Sequence, residues 1–419
     1  MVVLSSGVIL NAMACGKGEK LTEPSLPLET TINISSEPLT PPDPIEIVIG
    51  NYTDKTGPSA SPSSVIDMAL EDMVRYYNEE ALIPGVTFKV VSYDSQVDPA
   101  NDIPGYKYLK KQGADVIFTI IPSAPMTLKP LLEKDKTVLF TGVPDPGAID
   151  PPGYVFGVGS PLLEHHSYTL LEWLPENDPD FPDDRPAKIG GAGWATGYMD
   201  TVLKGAQAYA RAHPEQYVWK GDYVSGIKFD WLSEAEALKD CDYVFPPCLM
   251  NQFVEQIRTA GFSGKLIGTS IHTAFFEVID DADIWHNLDG MQLIMSYCWW
   301  NEDCEIMQLT EELLERYHPG ELEEMQRTGN GYLIVNSVYI MFEMIRKAVE
   351  EVGIENFSSQ AVYNAASGFS LEMDGRITDT FSRTKRASRN WLAIYAFDAE
   401  KENLVRFNPE EWLEVREEP

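Results

Sequence analysis

From residue 45 onward, short unbroken apolar runs alternate with longer stretches in which apolar positions recur every three or four residues. The short runs predict strands at 45–50, 86–93, 115–121 and 137–141. They lack in–out alternation, as expected of a parallel sheet covered on both faces. The longer stretches predict helices. In 63–79, Ile66, Leu70, Met73 and Tyr77 fall at i, i+4, i+7 and i+11 and share one face. After 154–161 the alternation begins again. It gives a helix at 162–174, strands at 187–191, 217–224, 242–245 and 265–269, and helices at 198–213 and 252–260. A strand at 291–297, helices at 305–317 and 332–352, and a strand pair turning at 398–403 complete the chain. The pattern predicts the α/β class, with two doubly wound, Rossmann-like lobes and several crossings between them. Such lobes leave a cleft at the carboxyl ends of their strands, where ligands bind.

The first residues read differently. An apolar run at 2–10 leads into Ala12-Met13-Ala14-Cys15-Gly16, a lipobox-like cleavage site that would make Cys15 the acylated first residue. No Lys or Arg precedes the run, and Ala12 stands where Leu is usual; a plain signal peptide with a stray Cys is the alternative. The expected division is a signal peptide at 1–15 and a Pro-, Ser-, Thr- and Glu-rich disordered tether at 16–44. No later run is long and apolar enough to cross a membrane. The expected location is the periplasm or the outer face of the cytoplasmic membrane, with lipid anchoring at Cys15.

The charge narrows the partners. A net −33 over 419 residues offers no basic field for nucleic acid or anionic headgroups. Cys241, Cys248, Cys298 and Cys304 remain once Cys15 is set aside. In an exported chain they suggest disulfides, and close spacing favours Cys241–Cys248 and Cys298–Cys304 among three connectivities. No CxxC or neighbouring His supports a metal site.

Catalytic signatures fail on inspection. Lys55-Thr56-Gly57 and Ser225-Gly226-Ile227-Lys228 match two motifs of penicillin-recognising serine enzymes, but the Ser-x-x-Lys element follows by 170 residues instead of preceding. In "GAGWATG" (191–197) the third glycine falls one place late for a dinucleotide fingerprint. The chain is read as a non-enzyme without cofactors or a resident metal.

Several motifs carry a resemblance. Thr56-Gly57-Pro58 after the first strand, Asp94, Gln96, Asp98 and Pro99 after the second, "KIGGAGWATGYMDTVLKGAQAYA" (188–210) and "VEQIRTAGFSGKLIGTS" (254–270) are similar, in order and spacing, to segments of the type I periplasmic solute-binding proteins, in particular the branched-chain amino-acid-binding family of ABC importers. The resemblance spans 45–419. It implies lobe one at 45–161 plus 272–385 and lobe two at 162–271 plus 386–419, closing on a small organic ligand, amino acid or carboxylate-like, for delivery to an ABC permease. A monomer is implied; a stand-alone ligand sensor signalling to a membrane receptor is the second reading. On lobe one the resemblance assigns ligand contacts to Ser123, Ala124, Thr141, Gly142 and Asp145, and the first loop adds Ser59 and Ala60, with Tyr52 at its edge. Lobe two adds Trp194 and Tyr198. Where the family holds an ammonium with an acid, this chain has Cys248 and Met250 instead, which favours a ligand without an amino group. Tyr297 is placed near the cleft mouth. The His165-His166 pair is read as structural, and the basic run 377–389 as a solvated hinge.

Overall fold

The computed structural model describes residues 43–419, so Cys15, the leader and the tether up to residue 42 lie outside the described residues. The first sheet has strand order β2-β1-β3-β4-β5, with β1 at Ile45–Thr53, β2 at Val86–Asp94, β3 at Val116–Thr119, β4 at Leu139–Thr141 and β5 at Val155–Gly157. All its pairings are parallel. From Ile47 onward every residue of β1 is buried, which explains its unbroken apolar run. The Ala60–Glu79 helix buries Val65, Ala69, Leu70, Met73 and Tyr77 along one stripe. Pro62 sits in its first turn, where a missing N–H costs nothing.

The second sheet begins with β6 (Ala187–Trp194), β7 (Tyr217–Ser225), β8 (Tyr243–Phe245), β9 (Lys265–Thr269) and β10 (Gln292–Met295), all parallel. A hairpin of β11 (Ser370–Met373) and β12 (Arg376–Thr380) stands apart. The chain then returns as β13 (Trp391–Asp398), antiparallel to β10, followed by β14 (Asn403–Arg406) and β15 (Leu413–Glu414).

Three crossings join the two sheets, and they lie side by side. Gly157 and Ala387 form a bridge, with Gly157 N donating to Arg386 O at 2.7 Å and Ser388 N to Gly157 O at 2.9 Å. Ser388 Oγ accepts from Gly159 N at 2.9 Å, and Ser296 Oγ donates to Gly159 O at 2.9 Å. Three backbone segments tied in this way favour a hinge motion over independent movement of the lobes.

The structure departs from several expectations. β10 was expected in lobe one, yet it pairs with β9 and β13 in the second sheet, so the chain returns to lobe one only beyond Tyr297. Its apolar run fits either sheet, and only strand pairing decides. Cys298 and Cys304 are bonded, but Cys241 and Cys248 are free. The extended strand β8 lies between them and carries the chain away from Cys241 before it reaches Cys248. The basic run is solvated only in part: Arg383 is exposed and Lys385 half-buried, but its other two arginines are not. Arg386 and Arg389 are each only 3% exposed. Arg386 Nε donates to Gly153 O at 3.0 Å, and Arg389 lies 3.4 Å from the carboxylate of buried Asp379. The crossing packs against lobe one, where Arg386 lies over the rings of Phe156 and Tyr363, so the two arginines have no solvent face.

Candidate functional site

A cavity of about 180 Å³ is walled by chain just beyond strand ends. After β1 come Pro58 and Ser59, after β3 Ile120 to Pro122, after β4 Gly142 and Val143, and after β5 Gly159 and Ser160. The second sheet supplies Trp194, Thr196 and Tyr198 around the end of β6, Cys248 after β8, Ser270 and Ile271 after β9, and Ser296 and Tyr297 after β10. This is the crevice that open parallel sheets create, doubled by two sheets facing each other. Residues 330–337 close the remaining side with Asn330, Leu333, Ile334 and Ser337.

The lining is mostly apolar, and among the described residues no Asp, Glu, Lys, Arg or His side chain contributes to it. Its polar groups are neutral and linked. Asn330 Nδ2 donates to Tyr297 Oη at 2.8 Å and to Ser270 O at 2.9 Å. Tyr198 Oη and Thr269 Oγ1 lie 3.2 Å apart. Burial pushes both phenols up, against the opposing pull of Asn330 on Tyr297 and of Thr269 on Tyr198, so both stay protonated at neutral pH. Burial also raises the Cys248 thiol to about 11. Trp194 donates its indole N–H to Lys228 O at 2.8 Å and meets Phe229 edge-on, which leaves ring surface for the cavity.

Several loop amides on the lobe-one wall are already engaged. Asp54 Oδ1 accepts from Gly57 N at 2.6 Å and Oδ2 from Ser59 N at 2.8 Å. Ile121 N donates to Thr119 Oγ1 at 3.0 Å and Val143 N to Thr141 Oγ1 at 3.1 Å. Gly142 N reaches Thr119 O, and Ala124 N reaches Ile121 O. Across the cleft, Gly197 N donates to Asp200 Oδ1 at 2.8 Å.

The cavity therefore gathers Ser59, Gly142, Trp194, Tyr198, Cys248 and Tyr297 from the sequence-level candidates, and not the others. Tyr52 is fully buried and donates to Asp102 Oδ1 at 2.8 Å. Gly105 allows that packing, since a Cβ there would stand 2.4 Å from the Tyr52 ring. Ser123 flanks the same Asp102 carboxyl, which burial raises against the hydrogen bonds of Tyr52, Thr127 and Ser123. Ala124 is core, and Thr141 binds its own loop. Ala60 starts its helix, and Met250 packs in a separate crevice with Leu249 and His272. Asp145 caps the Pro146–Ile149 helix and lies 3.0 Å from Thr201 Oγ1, a contact between the lobes in which the single hydroxyl hydrogen is shared with Gly197 O at 2.8 Å. Close by, Gly197 with φ +98° lets the second lobe approach Pro122. Sequence reasoning missed, among others, Ile271, Asn330 and Ser337.

Two α/β sheets joined by three crossings around a strand-end cavity define a bilobal binding protein. The chain belongs to the periplasmic binding protein family, whose model matches residues 46–401. Members of this family are extracytoplasmic and bind solutes rather than transform them. No curated protein matches this sequence. Among solved structures, a branched chain amino acid ABC transporter from Thermus thermophilus with bound valine is 18% identical, covering 87% of this chain and 96% of that one at TM-score 0.72. The fatty acid ABC transporter substrate-binding protein from Thermomonospora curvata is 17% identical, with coverage of 90% and 95% and TM-score 0.71. A solute binding protein of an ABC transporter from Rhodopseudomonas palustris HaA2, in complex with p-hydroxybenzoic acid, is 14% identical, with coverage of 89% and 98% and TM-score 0.71. At these identities the likeness concerns the fold.

Proposed function

We propose that this chain captures a small organic solute between its two lobes and delivers it to an ABC-type permease in the membrane. The observation that carries this reading is the cavity itself, walled by strand-end loops of both sheets and bridged by the Asp145–Thr201 contact. A solute that contacts both walls stabilises the closed arrangement, and closure is what a permease can recognise. The protein acts as a monomer, held at the outer face of the cytoplasmic membrane through Cys15. The apolar lining supports a ligand dominated by hydrocarbon surface rather than a sugar or polyamine.

Thermal-shift screening of the full chain against amino acids, aromatic acids, fatty acids and neutral phenols tests the reading, with small-angle scattering on each hit. The expected result is a rise in Tm and a smaller radius of gyration with one solute class. A hit without compaction breaks the closure mechanism. Acylation of Cys15 is checked by mass spectrometry of the mature protein and its Cys15→Ser variant.

A further inference from the structure

Resting on the solute-binding reading, we infer that the ligand is an uncharged, mainly apolar solute of about one six-membered ring, carrying a single hydroxyl or carbonyl group, rather than an amino acid or a carboxylate. Three observations converge on this.

The first is the lining. No ionisable Asp, Glu, Lys, Arg or His side chain among the described residues faces the cavity. A buried ligand ammonium would find no carboxylate, and a buried ligand carboxylate no cation; either charge left uncompensated opposes binding. The second is the state of the loop amides. Without a cation, an anion is held by N–H groups at helix starts. Here Asp54 fills that role at the Ala60–Glu79 helix, taking Gly57 N and Ser59 N from inside the protein. Asp200 does the same at Gly197, ahead of the Met199–Ala212 helix. Each of these two anion-binding positions at the cleft holds the chain's own carboxylate, which also repels a second negative charge. The third is the neutral network. Tyr297 Oη accepts from Asn330 and keeps its own proton to donate, while Asn330 spends both amide hydrogens and keeps Oδ1 as an acceptor. This donor–acceptor pair meets one hydroxyl or carbonyl. The size follows from the roughly 180 Å³ volume. An apolar cavity of roughly 150 Å³ takes up one benzene.

Isothermal titration of the full chain at pH 7 with p-cresol, p-hydroxybenzoate and L-leucine separates the outcomes. The first two share ring and hydroxyl and differ in the carboxylate. The expected result is p-cresol at least tenfold tighter than either charged probe. Equal or tighter binding of p-hydroxybenzoate or leucine overturns the inference and leaves the solute-binding reading intact. No binding by any of the three, together with no hit in the thermal-shift panel, overturns both. Asp54→Asn returns one amide to the cleft and should strengthen p-hydroxybenzoate about tenfold. Because that variant also loosens the loop that Asp54 anchors, Tyr297→Phe provides an independent arm. It should weaken p-cresol about tenfold and leave toluene within twofold; equal losses for both solutes count against the assigned hydroxyl contact.

Discussion

The loops after β1, β3 and β4 turn their hydrogen bonds inward, to Asp54, Thr119 and Thr141, whereas the facing wall after β6, β9 and β10 turns rings and hydroxyls toward the cavity. Both walls come from the same rule of parallel sheets, yet they divide the work. The lobe-one wall is preorganised by its own polar groups and offers the ligand mainly Pro58, Ile120 and Val143. The lobe-two wall keeps Tyr198 and Tyr297 available, with Asn330 reaching in from lobe one beside them. The difference teaches that strand-end position makes a residue a candidate, and that its hydrogen-bond partners decide whether it serves the ligand or the scaffold.

The comparison can be broken first at the crossings that make the two walls one site. Arg389→Ala leaves the carboxylate of Asp379 buried without its cation. Urea unfolding should show a loss of about 3–5 kcal/mol, the usual result of removing one partner of a buried pair. A loss under about 1 kcal/mol means that the pair does not hold the lobes together.

Acid tests the second lobe next. His165 and His166 open its first helix, and burial lowers both to about 4 from 6.5. Between those values the unfolded chain binds protons that the folded chain refuses. Stability present above pH 6.5 is therefore lost as pH falls toward 4, by roughly 1 kcal/mol per histidine for each pH unit. His166→Phe should halve the slope; an unchanged slope assigns it to other groups.

Tyrosines on the two sides should then respond in opposite ways. Tyr52→Phe removes the donor to Asp102 and should cost about 1–3 kcal/mol of stability without changing solute affinity. Tyr297→Phe should shift affinity and leave the urea midpoint nearly unchanged. If Tyr52→Phe alters affinity at constant stability, the division between scaffold and ligand wall fails.

The smallest effect belongs to the contact between the walls. Thr201→Val deletes the contact with Asp145 and, at about 0.5–1.5 kcal/mol, should raise Kd some threefold to tenfold by depopulating the closed form. Dissociation should quicken while association stays constant in stopped-flow tryptophan fluorescence.

Periodicity is a local property, and it carried most of the fold. The sequence reading places the strand Lys265–Thr269 and the helix Glu305–Tyr317 at their observed bounds, and the helix ending at Glu79 begins only three residues earlier than the pattern suggests. The alternation of the two element types was enough to indicate two parallel-sheet lobes and a cleft. Local pattern could not decide which sheet β10 joins, because its apolar run suits either one. Nor could it show that β8 separates Cys241 from Cys248, that Arg386 and Arg389 are buried at the last crossing, or that Asp54 already occupies the amides expected to hold a ligand. Strand pairing, solvent exclusion and the partner chosen by each N–H depend on residues far apart in the chain, so only the tertiary structure settles them.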